Sequence, residues 1–389
     1  MSKFRGVDFY QTDELLSDAE RKVRDRARDW VGERVESIMG EYFEKAAFPM
    51  FLIPEMADLG GFGANLPKEY GCPAMNNVSY GLLMQELERG DSSLRSFASV
   101  QGALVMYPIF TYGSEEQKRY WLPKLAKGEK IGCFGLTEPD SGSDPASLKT
   151  HAVRRGARWI LNGAKSWITN GTIADVAVIW AKVDGEVRGF LLEKGTKGFI
   201  SGDIQYKMSL RSSITSWLTF KECAIPEENL LPKTSGLISA LMCLNQARYG
   251  IAWGVLGAAM ACYHTALDYS KSRLQFGRPI GSFQIVQEKL VHMLTEITKG
   301  QLLCLRLGWL KDAGNHEYSQ ISLAKRNNTA IAAEAARLAR DILGANGITL
   351  GFPVMRHMCN LEAVKTYEGT HDIHTLILGE KITGLSAFR

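Results

Sequence analysis

The sequence predicts an α+β protein with three parts: an all-helical domain over residues 1–130, a small β-barrel or β-sandwich domain over 131–235, and a four-helix-bundle domain over 236–389. Two changes of texture carry this expectation. Apolar residues at helical spacing give way near residue 131 to short runs rich in β-branched and aromatic residues, punctuated by glycine turns. Helical patterning then returns in segments of about thirty residues, long enough for a bundle. The 389 residues, 45% of them hydrophobic, suffice for roughly two to three domains with a large core.

In the first part, Ser17 and Glu20 form a capping-box pattern before Val23, Ala27, Val31 and Val35, each four residues apart. The run "RKVRDRARDW" in that helix is basic, but its interleaved Asp residues mark a solvated face, not a DNA contact. A second box, Ser114 to Gln117, opens a helix that stops near Gly128. The net charge of +4, from 46 basic and 42 acidic residues, argues against a polybasic nucleic-acid surface and fits a small-molecule enzyme. Seven scattered cysteines with no CxxC pair read as thiols in a reducing compartment, with no disulfide frame or zinc site. The stretch "MSKFRGVDFYQTDELL" lacks an apolar core and carries early acids, so it reads as neither signal nor transit peptide. A bacterial cytoplasm is the expected location, with a processed mitochondrial-matrix form as the alternative.

In the middle part, "RWILNG", "VAVIWAKV" and "RGFLLEK" read as short strands separated by turns at Asn162-Gly163, Asp184-Gly185 and elsewhere. "CFGLTEPDSGSDPASLKT" begins as an apolar strand and ends in a loop of small residues. That loop is either a hairpin turn with local side-chain bonds or a ligand cradle whose backbone N–H groups approach a polar ring or phosphate. In "KSWITNG", Trp167 either joins the core or flanks an aromatic cofactor.

The third part predicts helices over about 236–272, 283–313 and 318–344. The most apolar stretch is broken by Asn245, Gln246 and Arg248, which favours a buried helix over a membrane span. "SRLQFGRPIGSFQIVQEKL" reads as a helix–helix corner with solvated Arg273 and Arg278, or as a phosphate clamp. Gly344 and Gly347 cap a helix or admit a nucleotide. No GxGxxG follows a strand, which argues against a doubly wound nicotinamide enzyme. In "YEGTHDIH", Glu368 is open to three readings: a base, a metal ligand with His371 and His374, or the start of a helix. The E-x-x-H-x-x-H spacing is not the zincin H-E-x-x-H order, so no metal is expected.

Taken in order, "FGLTEPDSGSDP", "WITN", "RLQFGRPI", "RDILGANGI" and "YEGTHDIH" resemble the acyl-CoA dehydrogenase family over essentially the whole chain. Within it, "ELERGDSSLRSFASVQ", "LNQARYGIAWG" and "SLAKRNN" resemble the glutaryl-CoA-oxidising, decarboxylating subgroup. The resemblance implies FAD as cofactor, an acyl-CoA thioester as substrate, an electron-transfer flavoprotein as acceptor and assembly as a homotetramer. It implies flavin contacts at Phe134, Gly135, Leu136 and Thr137, at Trp167, Ile168 and Thr169, and at Thr370. Arg273, Phe276, Gln284, Asp341, Gly344 and Ala345 would reach the FAD of a neighbouring subunit. Ser143 would touch the CoA ester, and Leu241 to Arg248, with Asn245 among them, would line the thioester channel.

Glu368 matches the family's catalytic base, with Tyr367 and Gly369 flanking it in the substrate site. The α-proton of a thioester is too weakly acidic for an unaided carboxylate, so enolate stabilisation by the Glu368 backbone N–H and a flavin ribityl hydroxyl is implied. Arg95 and Ser96 would hold the substrate's free carboxylate, with Glu88 paired to Arg95 and Thr169 nearby. An unpaired carboxylate in an apolar pocket would cost several kcal/mol. The other reading pairs Arg95 with Asp91 on a surface helix, but "GDSS" at 90–93 looks like a helix break that would aim Arg95 inward. Tyr367 and Glu88 follow the decarboxylating pattern, so release of CO2 to give crotonyl-CoA is expected. The chain departs from the subgroup's usual pattern at Leu94, where an aromatic residue is usual, and at Glu380, where a cation is usual. A short-chain acyl-CoA dehydrogenase or an acyl-CoA oxidase on the same fold are the alternatives. A non-catalytic flavoprotein binding a macromolecular partner is a third.

Overall fold

Ser17 opens the first helix as its capping box requires: its Oγ accepts from the Glu20 N–H at 3.4 Å, and Glu20 accepts from the Ser17 N–H at 2.7 Å. This computed structural model describes residues 3–388; Met1, Ser2 and Arg389, at the outer limits of the first and third expected parts, lie outside it. The amino-terminal helices are α1 (Asp18–Trp30), α2 (Met39–Lys45), α3 (Leu52–Asp58), α4 (Asn77–Gly90), α5 (Ser92–Ser99), α6 (Tyr107–Tyr112) and α7 (Glu115–Ala126). π-helical turns over Val31–Val35 and Val100–Met106 follow α1 and α5. The Ser114–Gln117 box opens α7 as expected.

The middle strands are β1 (Gly132–Gly135), β2 (His151–Arg155), β3 (Arg158–Thr169), β4 (Val176–Val183), β5 (Glu186–Glu193), β6 (Phe199–Asp203) and β7 (Thr215–Pro226). They form one seven-stranded sheet in the order β1-β4-β2-β3-β7-β6, with β5 paired to β4. β4 explains why "VAVIWAKV" is apolar without alternation. Val176, Val178 and Trp180 face the helical core, while Ala177, Ile179 and Ala181 face a separate core inside the β-domain.

Two middle-part expectations need correction. The strands are not all short, since β3 and β7 each run 12 residues. Asn162-Gly163 is not a turn; it lies within β3 at a bulge. The Asn162 amide exchanges bonds with Glu222 across the ladder, at 2.8 and 2.9 Å, and so continues the pairing. Asp184-Gly185 does turn, with φ of 50° and 87°.

The carboxy-terminal helices are α8 (Gly236–Ser272), α9 (Gln284–Asp312), α10 (Tyr318–Ile342), α11 (Val354–Thr366) and α12 (His371–Thr383). The expected helix corner is a two-stranded hairpin, β8 (Leu274–Gln275) with β9 (Arg278–Pro279), turned at Phe276 and Gly277 by φ of 53° and 79°. α8 is long and apolar enough to cross a membrane, yet 78% of its most apolar window is buried inside the fold. It lies against α4 at very short range: a Cβ on Gly257 would sit 1.8 Å from the Gln85 carbonyl oxygen. Amino- and carboxy-terminal helices therefore share one core, and their contact builds the candidate site.

Candidate active site

The site begins with the break between α4 and α5. Asp91 is extended (φ −166°, ψ 144°), and its Oδ1 accepts from the Ser93 N–H at 2.8 Å, capping α5. Its Oδ2 accepts from Arg356 and, at 3.0 Å, from Asn360, both on α11. Asp91 is thus committed elsewhere and does not pair with Arg95. Arg95, one turn into α5, has no solvent exposure, and its Nε donates to Glu88 Oε2 at 2.7 Å. Its Nη2 donates to the Tyr367 hydroxyl, and the guanidinium lies 5.5 Å from that ring's centre. Ser96 is buried beside it.

Tyr367 precedes Glu368 in the loop between α11 and α12. The loop is strained, with Glu368 at φ 53° and Gly369 at φ 96°. Two buried cations hold three successive carbonyls. Lys325 Nζ, from α10, donates to the oxygens of Tyr367 at 2.5 Å and Gly369 at 2.6 Å. Arg248 Nε, from α8, donates to the Glu368 oxygen at 2.7 Å, and its Nη1 reaches Asn245 at 3.3 Å. Thr370 then caps α12, accepting from the Ile373 N–H at 3.1 Å. The Glu368 helix-start reading is therefore half met, because the cap is Thr370 and Glu368 is left to face the site. His374 is buried against Gly369 with neither ring nitrogen bonded, and His371 lies nearer the surface. Among the described residues, no three His, Cys, Asp or Glu side chains are grouped to hold a metal ion.

Burial raises the Glu368 carboxyl above its ordinary range, while Arg95, Lys325 and Arg248 pull it back. Burial also lowers Lys325 to about 7 and His374 to about 2, so that histidine is neutral. Five charged side chains share the site, the cations Arg95, Arg248 and Lys325 and the carboxylates Glu88 and Glu368. With Lys325 protonated, the formal balance is one positive charge in excess, so the site is one negative charge short of neutral. Several polar atoms here are buried without a protein partner: Arg95 Nη1, Glu88 Oε1, Glu368 Oε2 and the hydroxyls of Tyr80, Ser92 and Ser99. Buried polar atoms are normally satisfied, so this cluster is shaped for a polar, anionic ligand.

A second group surrounds the end of β1. Phe134, Gly135 and Leu136 are buried, and Gln101 in the turn after α5 accepts from the Gly132 N–H at 2.9 Å, tying β1 to the helix that carries Arg95. Thr137 accepts from the Ser166 N–H at 2.9 Å, which sets β3 beside it. Lys165 is buried and donates to the Leu136 carbonyl at 3.0 Å and to Glu138 at 2.9 Å. Burial opposes the Glu138 charge, but bonds from Lys165, Thr150 and Lys149 hold it down at about 2. Trp167 sits at φ 63° with 62% of its surface open, between Ser166 and the buried Ile168. This exposed indole beside strand-end backbone suits the face of a planar ring. Thr169, at the end of β3, pairs with Thr215 at the start of β7, and among the described residues no hydrogen bond joins it to Arg95. Ser143 lies in an exposed turn, and Leu241 is half-buried on α8.

The third group is separate from both. Arg273, Phe276, Gln284, Asp341, Gly344 and Ala345 are all exposed. They are gathered at one end of the bundle by the Lys289–Asp341 ion pair and the Asn346–Tyr269 bond. Phe276 is 94% exposed at the hairpin tip. Leu94 is fully buried, and Glu380 is exposed on α12, next to Lys381, which pairs with Glu317 at 2.7 Å. Lys325, Tyr80 and Arg356 belong to the site without being predicted from the sequence. Only a lysine and an arginine in otherwise apolar helix faces could have flagged two of them.

Comparison with known proteins places these groups in context. The family descriptions "Acyl-CoA dehydrogenase, N-terminal domain", "middle domain" and "C-terminal domain" match residues 17–129, 133–223 and 234–383. A crystal structure of glutaryl-CoA dehydrogenase from Mycobacterium smegmatis is 51% identical, covering 99% of this chain and 100% of that one, with a TM-score of 0.97. A glutaryl-CoA dehydrogenase from the same organism in complex with FADH2 is 48% identical, covering 98% and 99%, also with a TM-score of 0.97. The human mitochondrial short-chain specific acyl-CoA dehydrogenase is 32% identical over 375 residues, 95% of this chain and 91% of that protein.

Proposed function

Because this chain belongs to the acyl-CoA dehydrogenase family, we propose that it is an FAD enzyme that oxidises glutaryl-CoA between Cα and Cβ and releases CO2. The observation that carries the substrate is Arg95 Nη1, a buried guanidinium nitrogen with no protein partner, beside a site one negative charge short of balance. A fatty acyl chain would leave that nitrogen unsatisfied, whereas the distal carboxylate of glutaryl-CoA would pair with it. The 51% identity to a glutaryl-CoA dehydrogenase supports the same reading.

The residues around the β-domain fit a flavin. The open Trp167 face and the Phe134–Thr137 strand end would hold the ring, with Ile168, Thr169 and Thr370 beside it. The exposed Arg273, Phe276 and Gln284, with Asp341, Gly344 and Ala345, would serve a second copy in a tetramer. When bound, FAD supplies a two-electron acceptor for the hydride from Cβ. Glu368 takes the α-proton through its unpartnered carboxylate oxygen, and its raised pKa brings it nearer the thioester's acidity. The backbone N–H of Glu368 would donate to the developing enolate oxygen. Glu88 and Tyr367 fix the guanidinium plane that orients the distal carboxylate. After oxidation, that carboxylate leaves as CO2, its bonding pair stays as a dienolate, and Glu368 returns its proton to Cγ to give crotonyl-CoA. An electron-transfer flavoprotein would then reoxidise the enzyme.

The test is anaerobic mixing of the flavin-loaded protein with glutaryl-CoA or butyryl-CoA, following flavin absorbance and CO2. Bleaching and CO2 with glutaryl-CoA support the proposal. Bleaching by butyryl-CoA alone would favour the short-chain reading.

A further inference from the structure

Resting on that dehydrogenase reading, we propose that Lys325 is a positioning residue for Glu368: its ammonium fixes the backbone on both sides of the base and leaves the base's carboxylate free. The geometry is specific. Lys325 is 1% exposed, and both of its bonds go to backbone carbonyls, those of residues 367 and 369. Arg248 takes the carbonyl between them. Neither cation bonds the Glu368 carboxylate, whose Oε2 has no partner.

A non-glycine residue at φ 53° followed by φ 96° holds only when its surroundings over-determine it. Two helices supply that constraint here, α10 through Lys325 and α8 through Arg248. A lysine buried without a carboxylate partner is costly, and a stability role alone would be met more cheaply by an apolar side chain. What the ammonium adds is a double donor and a positive charge close to Glu368. The charged and titratable groups facing it are Glu368 and Tyr367 of the loop, Arg248 of α8, Arg95 of α5 and His374 of α12. Its charge favours ionised Glu368, so losing it moves the base toward higher pKa.

The test uses flavin-loaded Lys325→Met, Lys325→Arg and Lys325→Gln, with anaerobic flavin reduction followed across a pH series by whichever acyl-CoA reduces the wild type. Lys325→Met should lower the limiting rate about 100-fold, the scale of a misplaced reacting group. Its KM should hardly move, and its acid limb should shift to higher pH. Lys325→Arg should recover part of the rate, since it keeps charge and donors. In Lys325→Gln, hydrogen exchange at residues 367–370 should quicken while the rest of α10 stays protected. A Met variant with wild-type rate and acid limb, Met and Arg variants equally impaired with KM rising in step, or unchanged exchange in the Gln variant would each overturn the proposal. A wild type that no acyl-CoA reduces would overturn the dehydrogenase reading alone, because the exchange measurement still judges the clamp.

Discussion

Gly254 of α8 stands where a Cβ would lie 2.2 Å from Glu88 Oε2 and 3.1 Å from Arg95 Cγ. The Arg95–Glu88 ion pair thus depends on a missing methyl group in the helix facing it. The pair is fully buried, so it cannot swing into solvent to make room. Gly254→Ala is expected to destabilise the protein by about 1–3 kcal/mol through overpacking. On the proposed role of Arg95, it should also cut kcat/KM for glutaryl-CoA more than for butyryl-CoA, because only glutaryl-CoA carries a distal carboxylate for the guanidinium to hold. Thermal unfolding and the ratio of the two kcat/KM values measure this; equal losses for both esters would separate Gly254 from carboxylate recognition.

Glu368 gives a pH prediction with a definite sign. Burial raises its pKa in the fold, so flavin reduction should increase with pH through a limb above the ordinary carboxylate range. Glu368→Gln should abolish that reduction while keeping the flavin. The stability consequence runs the other way. A group with a raised folded pKa binds more protons folded than unfolded, so stability falls as pH rises from the unfolded pKa through the folded one. Glu368→Gln should therefore raise Tm above that window and leave it unchanged below, which melting at two pH values will show.

Much of this organisation is written locally in the sequence. Ser17, Ser114 and the Gly-Asp-Ser-Ser break are legible because a cap needs only residues two or three positions away. Asn162-Gly163 misleads because a turn dipeptide can also form a bulge, and the choice lies with Glu222, 60 residues later. Lys325 is silent for the same reason. "SLAKRNN" reads as about two turns of an amphipathic helix, and nothing in it announces two carbonyls 42 and 44 residues away. Glu368 is legible locally as a candidate, but its own stretch leaves base, metal ligand and helix start open, and only a resemblance spanning the whole chain favours the base.

Asp91 joins the break in the helix to α11, so its removal should act on both stability and specificity. Asp91→Ala takes away the α5 cap, worth about 1 kcal/mol. It also leaves Arg356 buried without its carboxylate, a loss of about 3–5 kcal/mol. Denaturant unfolding should show most of that sum. Asp91→Asn keeps the cap acceptor and should recover the smaller part. In whatever fraction of the Ala variant folds, glutaryl-CoA should again suffer more than butyryl-CoA, since α5 carries Arg95.

Gly369 offers a test of how tightly the loop is packed. Its φ of 96° disfavours any side chain, and a Cβ would lie 3.0 Å from His374 Nε2 and 3.1 Å from Arg248 Nη2. Gly369→Ala should cost about 1–3 kcal/mol in backbone strain and lower the rate of flavin reduction by displacing Glu368. Part of that cost is contact with His374, which burial keeps neutral and which has no bonded partner to lose. Adding His374→Ala to Gly369→Ala should therefore restore some rate and some Tm, giving a favourable coupling in the double-mutant cycle. The recovery should stay partial, because the positive φ remains. Strictly additive losses would mean that the two side chains do not compete for space beneath the base.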